Sequence, residues 1–475
     1  MRGILGHGSY VPYRLLDRAE IKAFLGTGGG SGTRAVASYD EDTTTMGVEA
    51  ARACRRAADA SPAALWFATT APAYAEKTNA SAIATALRLD HDVAAYDFGG
   101  GVRSGIGALR AALDGTGTTL VVAADLRTGW PGSADESAGG DAASALLVGD
   151  DRDGPVIAEH LGAGSATSEF LDRWRTPGEN RTKQWEEKFG EIEYLPLGEQ
   201  AWNAALKDAG LTAEQIDRVA VVGPHARAVK SLTRKLGVRD DAVSPDLGST
   251  IGQAGAAHPA LALCALLDEA KSGQVLAIVS LADGVDVVVL RATAAVRTAG
   301  GRTVAAQVEH QGAVSYAKFL TWRGMLAVEP PRRPEPARVS ASAAARAEDW
   351  KYAFVGSRDR SSGAVHLPPA RVSMVGGAVD DMDPVPMAEA HGTIVTFTID
   401  RLAYSPSPPV VFAVVDFDAP GGGEPGKGGG RLPIELTDVD EADVEIGGRV
   451  EMTFRRLNTA DGIHNYFWKA KPVRA

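Results

Sequence analysis

From residue 1 to about 295 the chain alternates short β-branched runs with alanine-rich amphipathic stretches, and that alternation restricts it to a layered α/β architecture. Strands are expected over 65–69, 93–98, 119–123, 219–222, 275–280 and 285–291. Helices are expected over 45–60, 79–87, 105–113, 197–209, 226–236 and 256–270. The order of elements recurs in two halves that break near residues 150–165, although no residue-level repeat is visible. At the end of one expected strand the run DFGGGVRSGIGAL (97–109) places three glycines before a helix, a backbone that can approach a ligand closely or simply make a turn.

The texture changes between 296 and 345. A short helical segment, SYAKFLTWRGML, precedes EPPRRPEPARVSASAAAR, whose clustered prolines read as a semi-rigid linker. Beyond it, 391–399, 410–417, 431–436 and 449–454 follow the two-residue period of strands and predict a small five-stranded barrel. The loop GGGEPGKGGG (421–430) lacks the GxxxxGK[ST] spacing and joins strand to strand, so it is expected to be a hairpin tip.

With 60 acidic against 49 basic residues, and no basic stripe, the net charge of −11 argues against nucleic acid or an anionic membrane as partner. The longest apolar runs, 275–279 and 287–290, fall far short of the ~20 residues of a spanning helix. The start GILGHGSYVPY has no apolar signal-peptide core, which makes the cytoplasm the expected location. Two cysteines, Cys54 and Cys264, lie within helix-patterned segments and are expected to be small buried hydrophobes. Eight histidines, His7, His91, His160, His258, His310, His366, His391 and His464, show no metal-ligand spacing.

Several segments in order, GILGHGSYVPY (3–13), DEDTTTMGVEA (40–50), DFGGGVRSGIGAL, VAAD (122–125), GGDAASA (139–145), VVGPH (221–225) and GSTIG (248–252), resemble the hydroxymethylglutaryl-CoA synthases and ketoacyl synthase III enzymes of the thiolase superfamily. The tail, with GTIVTFTIDRLAYSPSPPVVFAVVDF, IGGRVEMTFRR and NYFWKAKPV, resembles the OB-fold domain that accompanies thiolase-like proteins. The resemblance implies a duplicated five-layer α/β fold, with halves 1–160 and 161–295, a linker over 296–345 and an OB domain over 346–475. It also implies a homodimer.

The same resemblance implies a Cys-His-Asn set and a glutamate, and here the chain departs from it. Val102 stands at the cysteine position, His225 matches the histidine, and Ser249 replaces the asparagine. The glutamate falls at Thr70 or Ala71, and the nearest carboxylate is Glu76. A valine cannot form a thioester, so the covalent route is closed. The zinc ribbon that opens such OB domains needs four thiolates. In SRDRSSG and RVSMVGG the corresponding positions are Asp359, Ser362, Ser373 and Gly376, which are not expected to hold zinc.

What remains implies non-covalent chemistry on an acyl thioester carried by CoA or an acyl-carrier protein, with carbon-carbon cleavage or formation of the aldolase type foremost and acyl transfer next to it. His225 is either a base or oxyanion donor, or a histidine kept by packing. Ser249 is either a polar pocket residue or a helix cap. Tyr74 is either a proton relay or an ordinary buried aromatic, with Tyr316 and Tyr352 weaker candidates. Val102, Thr70, Gly101 and Gly248 are expected to line the substrate pocket, and Asp125 to be structural. No permanently bound cofactor is expected, coenzyme A entering only as part of the substrate. The alternative is a catalytically silent scaffold that channels intermediates for a partner thiolase or dehydrogenase.

Overall fold

The computed structural model describes residues 1–179, 181–296 and 301–474, so residues 297–300 of the expected linker lie outside the described residues. The chain divides into two compact units. Met1–Ala37, Asp42–Ile83 and Asp90–Phe319 form the first, and Ser38–Glu41, Ala84–Leu89 and Leu320–Ala475 the second.

Nine strands of the first unit make one sheet: β1 (Arg2–Tyr10), β2 (Ala64–Thr69), β3 (Ala94–Gly99), β4 (Thr119–Asp125), β5 (Ala142–Asp150), β6 (Ala158–Ala166), β7 (Arg218–Val222), β8 (Val275–Leu281) and β9 (Val285–Ala292). Their order is β7-β8-β9-β6-β1-β5-β4-β2-β3. The path is written twice. In the first half β2 runs parallel to β4, β4 antiparallel to β5 and β5 antiparallel to β1. In the second half β7, β8, β9 and β6 repeat those three relations in the same sequence. The halves join where Gly3 and Ile4 pair with Glu159 and Ala158.

Six helices matter for the site: α1 (Thr43–Ala57), α2 (Ser104–Asp114), α3 (Ala134–Ala138), α4 (Glu187–Ala209), α5 (Ala226–Thr233) and α6 (His258–Glu269). Helix α1 packs on the first half-sheet, α4 on the second, and α2 and α6 lie between them, which gives five layers. Ile106, Leu109 and Leu113 of α2 share one apolar cluster with Leu261 and Leu267 of α6, Val121 and Leu146 of the first half, and Ile278 and Leu290 of the second. Burying such side chains contributes about 1.5–3 kcal/mol each. Gly105 opens α2 because a Cβ there would overlap the Ala256 carbonyl oxygen, so the central layer forms by backbone contact.

The expected strands and helices are present, but β1, β5 and β6 at the centre of the sheet were not legible as strands. GILGHGSY and AEHLGAGSA are rich in glycine and alanine, which have low strand propensity. Close helix packing explains them: a Cβ on Gly8 would overlap the backbone of Ala50 and Cys54 in α1, and one on Gly164 would overlap Ala201 in α4. Helix α4 starts at Glu187, ten residues earlier than its expected start, and runs through Pro196. The linker is also shorter than expected. Gly312 and Ala313 pair with Arg14 and Leu15, while Val304, Tyr316 and Phe319 are buried, so the chain belongs to the first unit as far as Phe319.

In the second unit β10 (His391–Asp400), β11 (Val410–Asp418), β12 (Gly428–Leu436), β13 (Arg449–Ala460) and β14 (Ile463–Pro472) close a barrel in the order β10-β11-β12-β14-β13. The glycine loop is the β11-β12 hairpin connection. Phe354, Val415, Phe417, Phe454 and Trp468 fill the apolar interior. A buried charge network lies beside them. Lys469 bonds Asp40 at 2.9 Å and also Glu435, while Arg455 reaches Asp438 at 2.7 Å and Glu41 at 3.3 Å.

Burial opposes charge on Asp40, yet Lys469 and Arg455 outweigh it and hold the carboxyl well below the usual carboxylate range. Because the folded pKa is depressed, its stabilisation is present above the unfolded value of about 3.9 and is lost as pH falls below it. Urea unfolding should therefore show the second unit weakening below about pH 4. Lys469→Met, which leaves Asp40 buried without its ammonium, should cost about 3–5 kcal/mol at pH 7 in the same measurement.

Candidate functional site

Strands β2, β3 and β4 are mutually parallel through β2, and their carboxyl ends bring Thr70, Gly99–Val102 and Asp125 to one edge of the first unit. Loops at such strand ends are where α/β folds hold ligands. Asp125 is wholly buried. One carboxylate oxygen accepts from the Thr70 amide at 2.9 Å and the Thr70 hydroxyl at 2.8 Å, and the other accepts from the Ala256 amide at 2.7 Å. Gly255 has φ +52° and no room for a Cβ beside Asp125 Oδ2. The structural role expected for Asp125 thus includes holding Thr70 in place.

Val102 lies half-buried in the turn that precedes α2, and space in front of Gly99 and Gly100 is open. Arg103 pins that turn to the second half through Asp286 at 2.7 Å and Thr167 at 2.9 Å. Both cysteines are fully buried, with the Cys54 thiol pushed up to about 12 by burial and that of Cys264 raised well above its ordinary value. Neither supplies a thiolate to the loop.

Two arginines bond Thr70. Arg127 Nη1 donates to the Thr70 hydroxyl at 3.2 Å, and Arg175 Nη2 donates to the Thr70 carbonyl at 2.8 Å. Arg173 pairs with Asp135 at 2.6 Å. Burial and then the charge of Arg127 lower the Arg175 pKa. The segment from Thr167 to Glu187, between β6 and α4, supplies Arg173 and Arg175, and it also borders a cleft of about 440 Å³ lined by Trp130, Ser133, Asp135, Trp174, Arg181, Lys183 and Trp185. Trp130 and Trp185 stand 59% and 60% exposed at its rim. Sequence reasoning missed this strap, because its residues follow no period; the available signal was the density of Trp, Arg and Lys in RWRTPGENRTKQW.

The strap also changes the reading of His225. The ring caps α5, Nδ1 accepting from the Ala228 amide at 3.0 Å, while Nε2 donates to the Glu187 carbonyl at 2.9 Å. Both nitrogens are therefore engaged, with Asp172 3.9 Å from Nε2 and Tyr194 packed edge-on. Burial pushes the Asp172 carboxyl up, opposed by His225 and Arg173. A histidine held this way carries its proton on Nε2, so to act as a base there it must both lose the Glu187 carbonyl and shift that proton to Nδ1 at the expense of the Ala228 contact.

Ser249 and Gly248 belong to a different neighbourhood. They sit in an exposed turn where Gly248 O accepts from Arg18 Nη2 at 2.5 Å and Ser249 O accepts from the Thr33 amide at 2.9 Å. Ser249 caps no helix, and the contacts of His225 run to the strap instead, so the expected pairing of the two is not made. Tyr74 is half-buried, its amide bonded to Asn79 Oδ1 at 3.0 Å. Tyr316 donates to buried Glu136 at 2.9 Å, and Tyr352 packs in the second unit against Phe454, so both serve cores.

In the second unit the positions expected from the zinc ribbon do converge. Ser361 and Ser362 hydroxyls donate to Asp359 at 2.7 and 2.6 Å, Ser373 Oγ accepts from the Gly376 amide at 3.0 Å, and a Cβ on Gly376 would meet Asp359 Oδ2. Hydrogen bonds from Ser362, Ser373 and Ser361 hold the Asp359 carboxyl well below its ordinary range. One carboxylate and two hydroxyls, bonded to one another, do not fit the four-thiolate set that structural zinc requires.

Two variants separate capping from catalysis at His225. His225→Ala should lower stability by about 1 kcal/mol through loss of the α5 cap. His225→Asn, whose side chain can accept from the Ala228 amide, should recover most of it in thermal unfolding.

Residues 206–291 match the family model described as 3-oxoacyl-[acyl-carrier-protein] synthase III C terminal, and 385–455 match that of the ChsH2 C-terminal OB-fold domain. A hydroxymethylglutaryl-CoA synthase of Pyrococcus horikoshii is 29% identical over 292 residues, 59% of this chain and 83% of that protein. Among solved structures, MvaS in complex with 3-hydroxy-3-methylglutaryl coenzyme A superposes with a TM-score of 0.56 at 23% identity, over 70% of this chain and 94% of that one. The 3-oxoacyl-[acyl-carrier-protein] synthase III of Aquifex aeolicus gives 0.54 at 20% identity, over 61% and 100%. At these identities the structures establish the fold. The chain therefore carries a thiolase-like, hydroxymethylglutaryl-CoA synthase-like region together with a C-terminal OB-fold domain of the ChsH2 type.

Proposed function

We propose that the first unit binds an acyl thioester of CoA or a carrier protein and makes or breaks a carbon-carbon bond in its acyl part without a covalent enzyme intermediate. The observation that carries this reading is the make-up of the strand-end cluster around Thr70: hydrogen-bond donors gathered at a glycine loop, with both thiols of the chain buried away from it. Similarity to a hydroxymethylglutaryl-CoA synthase, to MvaS with its bound 3-hydroxy-3-methylglutaryl coenzyme A and to a 3-oxoacyl-[acyl-carrier-protein] synthase III supports a thioester as the ligand class. The tryptophan-lined cleft, with Arg181 and Lys183, suits a flat nucleobase and its phosphates.

In the retro-aldol direction a β-hydroxyl gives its proton to a base and becomes a carbonyl as the Cα–Cβ bond breaks. The electron pair moves into a thioester enolate, which then takes a proton at Cα. Glycine-loop amides and guanidinium groups near Thr70 are the groups suited to the enolate oxygen. His225 would serve as base at Nε2 once the strap releases it and its proton shifts to Nδ1, giving up the Ala228 contact, and Tyr74 would return the proton. The exposed outer edge of β3, paired among the described residues with β2 alone and carrying Tyr96 at 58% exposure, favours a homodimer closed by strand pairing.

The engaged nitrogens of His225 favour a second reading, a catalytically silent scaffold that delivers thioesters to a partner thiolase or dehydrogenase. Calorimetric titration with CoA, acetyl-CoA and a 3-hydroxyacyl-CoA, followed by trapping of any released carbonyl compound as its hydrazone, separates the two. Micromolar binding with carbonyl release is expected. Binding without release would leave the scaffold, and no binding by folded protein would remove free CoA thioesters as substrates.

A further inference from the structure

We propose that Lys351 in the second unit is a nucleophilic amine that takes an acyl group from a thioester, and that the resulting amide loosens the one-turn helix over Glu348–Lys351 from the barrel. The surroundings of its nitrogen set it apart from the ion-paired lysines of the chain. Lys469 is held by Asp40 and Glu435, Lys235 by Glu199, Lys427 by Glu424 and Lys471 by Glu451. Lys351 Nζ meets no carboxylate among the described residues. It donates to Asn465 Oδ1 and to the Tyr466 carbonyl at 2.7 Å, both on β14, and the Tyr352 ring lies 5.9 Å away, at the outer limit of a cation–π attraction.

Two acceptors are what a neutral amine satisfies. An –NH2 group has two N–H donors and keeps its lone pair, whereas an ammonium has a third N–H that only solvent or the Tyr352 face can meet. The half-buried setting acts in the same direction: burial, with no anion to oppose it, brings the Lys351 pKa down to about 8. At about pH 7.5 such a group holds the neutral form on the order of a hundred times more often than a lysine near its ordinary value of about 10.4. Lys77 is the nearest comparison, since its ammonium also meets neutral oxygens, of Thr78 and Ser81, but there the charge of Asp97 opposes burial.

The backbone on either side is fixed. Trp350 packs on Phe354 and Phe467 with ring centroids 5.3 and 5.2 Å apart, and the Tyr352 carbonyl accepts from Trp468 Nε1 at 2.7 Å. The amine is therefore presented at a constant place on the barrel. In the step, the Nζ lone pair attacks the thioester carbonyl carbon and the C–S bond of the tetrahedral adduct breaks. The thiolate leaves with the electron pair and takes up the proton that the nitrogen gives up. The product amide has one N–H in place of two and no charge, so either Asn465 or Tyr466 loses its bond to the helix. The acyl donor is the ligand class proposed for the first unit, but the step needs only a thioester in solution and does not depend on what the first unit catalyses.

The test is incubation of the whole protein with acetyl-CoA and, in parallel, with S-acetyl-N-acetylcysteamine, which has the thioester without the nucleotide, followed by peptide mass spectrometry. At about pH 7.5 both should acetylate Lys351 at an initial rate at least about ten-fold that of the exposed Lys207 and Lys271. The rate should reach half its plateau at about pH 8. Acetylation of Lys351 no faster than of those two lysines, or a rate still climbing above about pH 10, would overturn the nucleophile. Modification by acetyl-CoA alone would overturn it in favour of a bound CoA that carries the acyl group to an ordinary lysine. Thermal unfolding of the second unit should come a few degrees lower in the acetylated protein, and the same treatment should leave Lys351→Arg unchanged. An equal downward shift in both would overturn the loosening of the helix while leaving the nucleophile in place.

Discussion

The carboxylate of Asp125 is the point on which the candidate site turns. Buried at the end of β4, it takes hydrogen bonds from the amide and hydroxyl of Thr70 in the first half and from the amide of Ala256 in the second. A buried carboxylate is tolerated only when donors surround it, so the residues that satisfy Asp125 are constrained to stay where they are. Gly255 follows from the same contact, since no side chain fits against Oδ2. One acidic residue thereby couples the ends of β2 and β4 to the turn that launches α6, and it fixes the threonine that Arg127 and Arg175 bond.

A second hub lies directly behind it. Asp141 accepts from the amides of Ala37 and Arg127 at 2.8 Å each, and Arg34, stacked on Phe319 at 4.8 Å, donates to the Arg127 carbonyl at 2.9 Å. Both backbone groups of Arg127 are therefore tied to buried charged side chains. A guanidinium on such a backbone has little freedom to swing out to solvent. In energetic terms the site spends packing and hydrogen bonding from the two hubs to keep cationic groups close together.

Periodicity and turn chemistry made much of this architecture legible. The parallel strands that end at Thr70, Gly99 and Asp125 are β-branched or aromatic runs, and the duplication of the layers shows in their order. The centre of the sheet was hidden because Gly6, Gly8, Gly162 and Gly164 let helices approach, a requirement of packing that strand propensity reads with the wrong sign. The site was legible by halves. Resemblance pointed to Thr70, Val102 and the glycine loop, which the fold does gather, but it paired His225 with Ser249, which the fold keeps on separate contacts. The arginines escaped notice for a physical reason: their meaning depends on which carboxylates are already occupied, and that is a property of the folded chain.

The strap from Thr167 to Glu187 joins these observations. It contributes Asp172 and the Glu187 carbonyl to His225, Arg173 to Asp135, and Arg175 to Thr70, so one segment contacts both His225 and Thr70. None of these contacts can be altered alone. The Glu187 carbonyl that accepts from Nε2 belongs to the first residue of α4, and the terminal turn of a helix is the part that opens most readily.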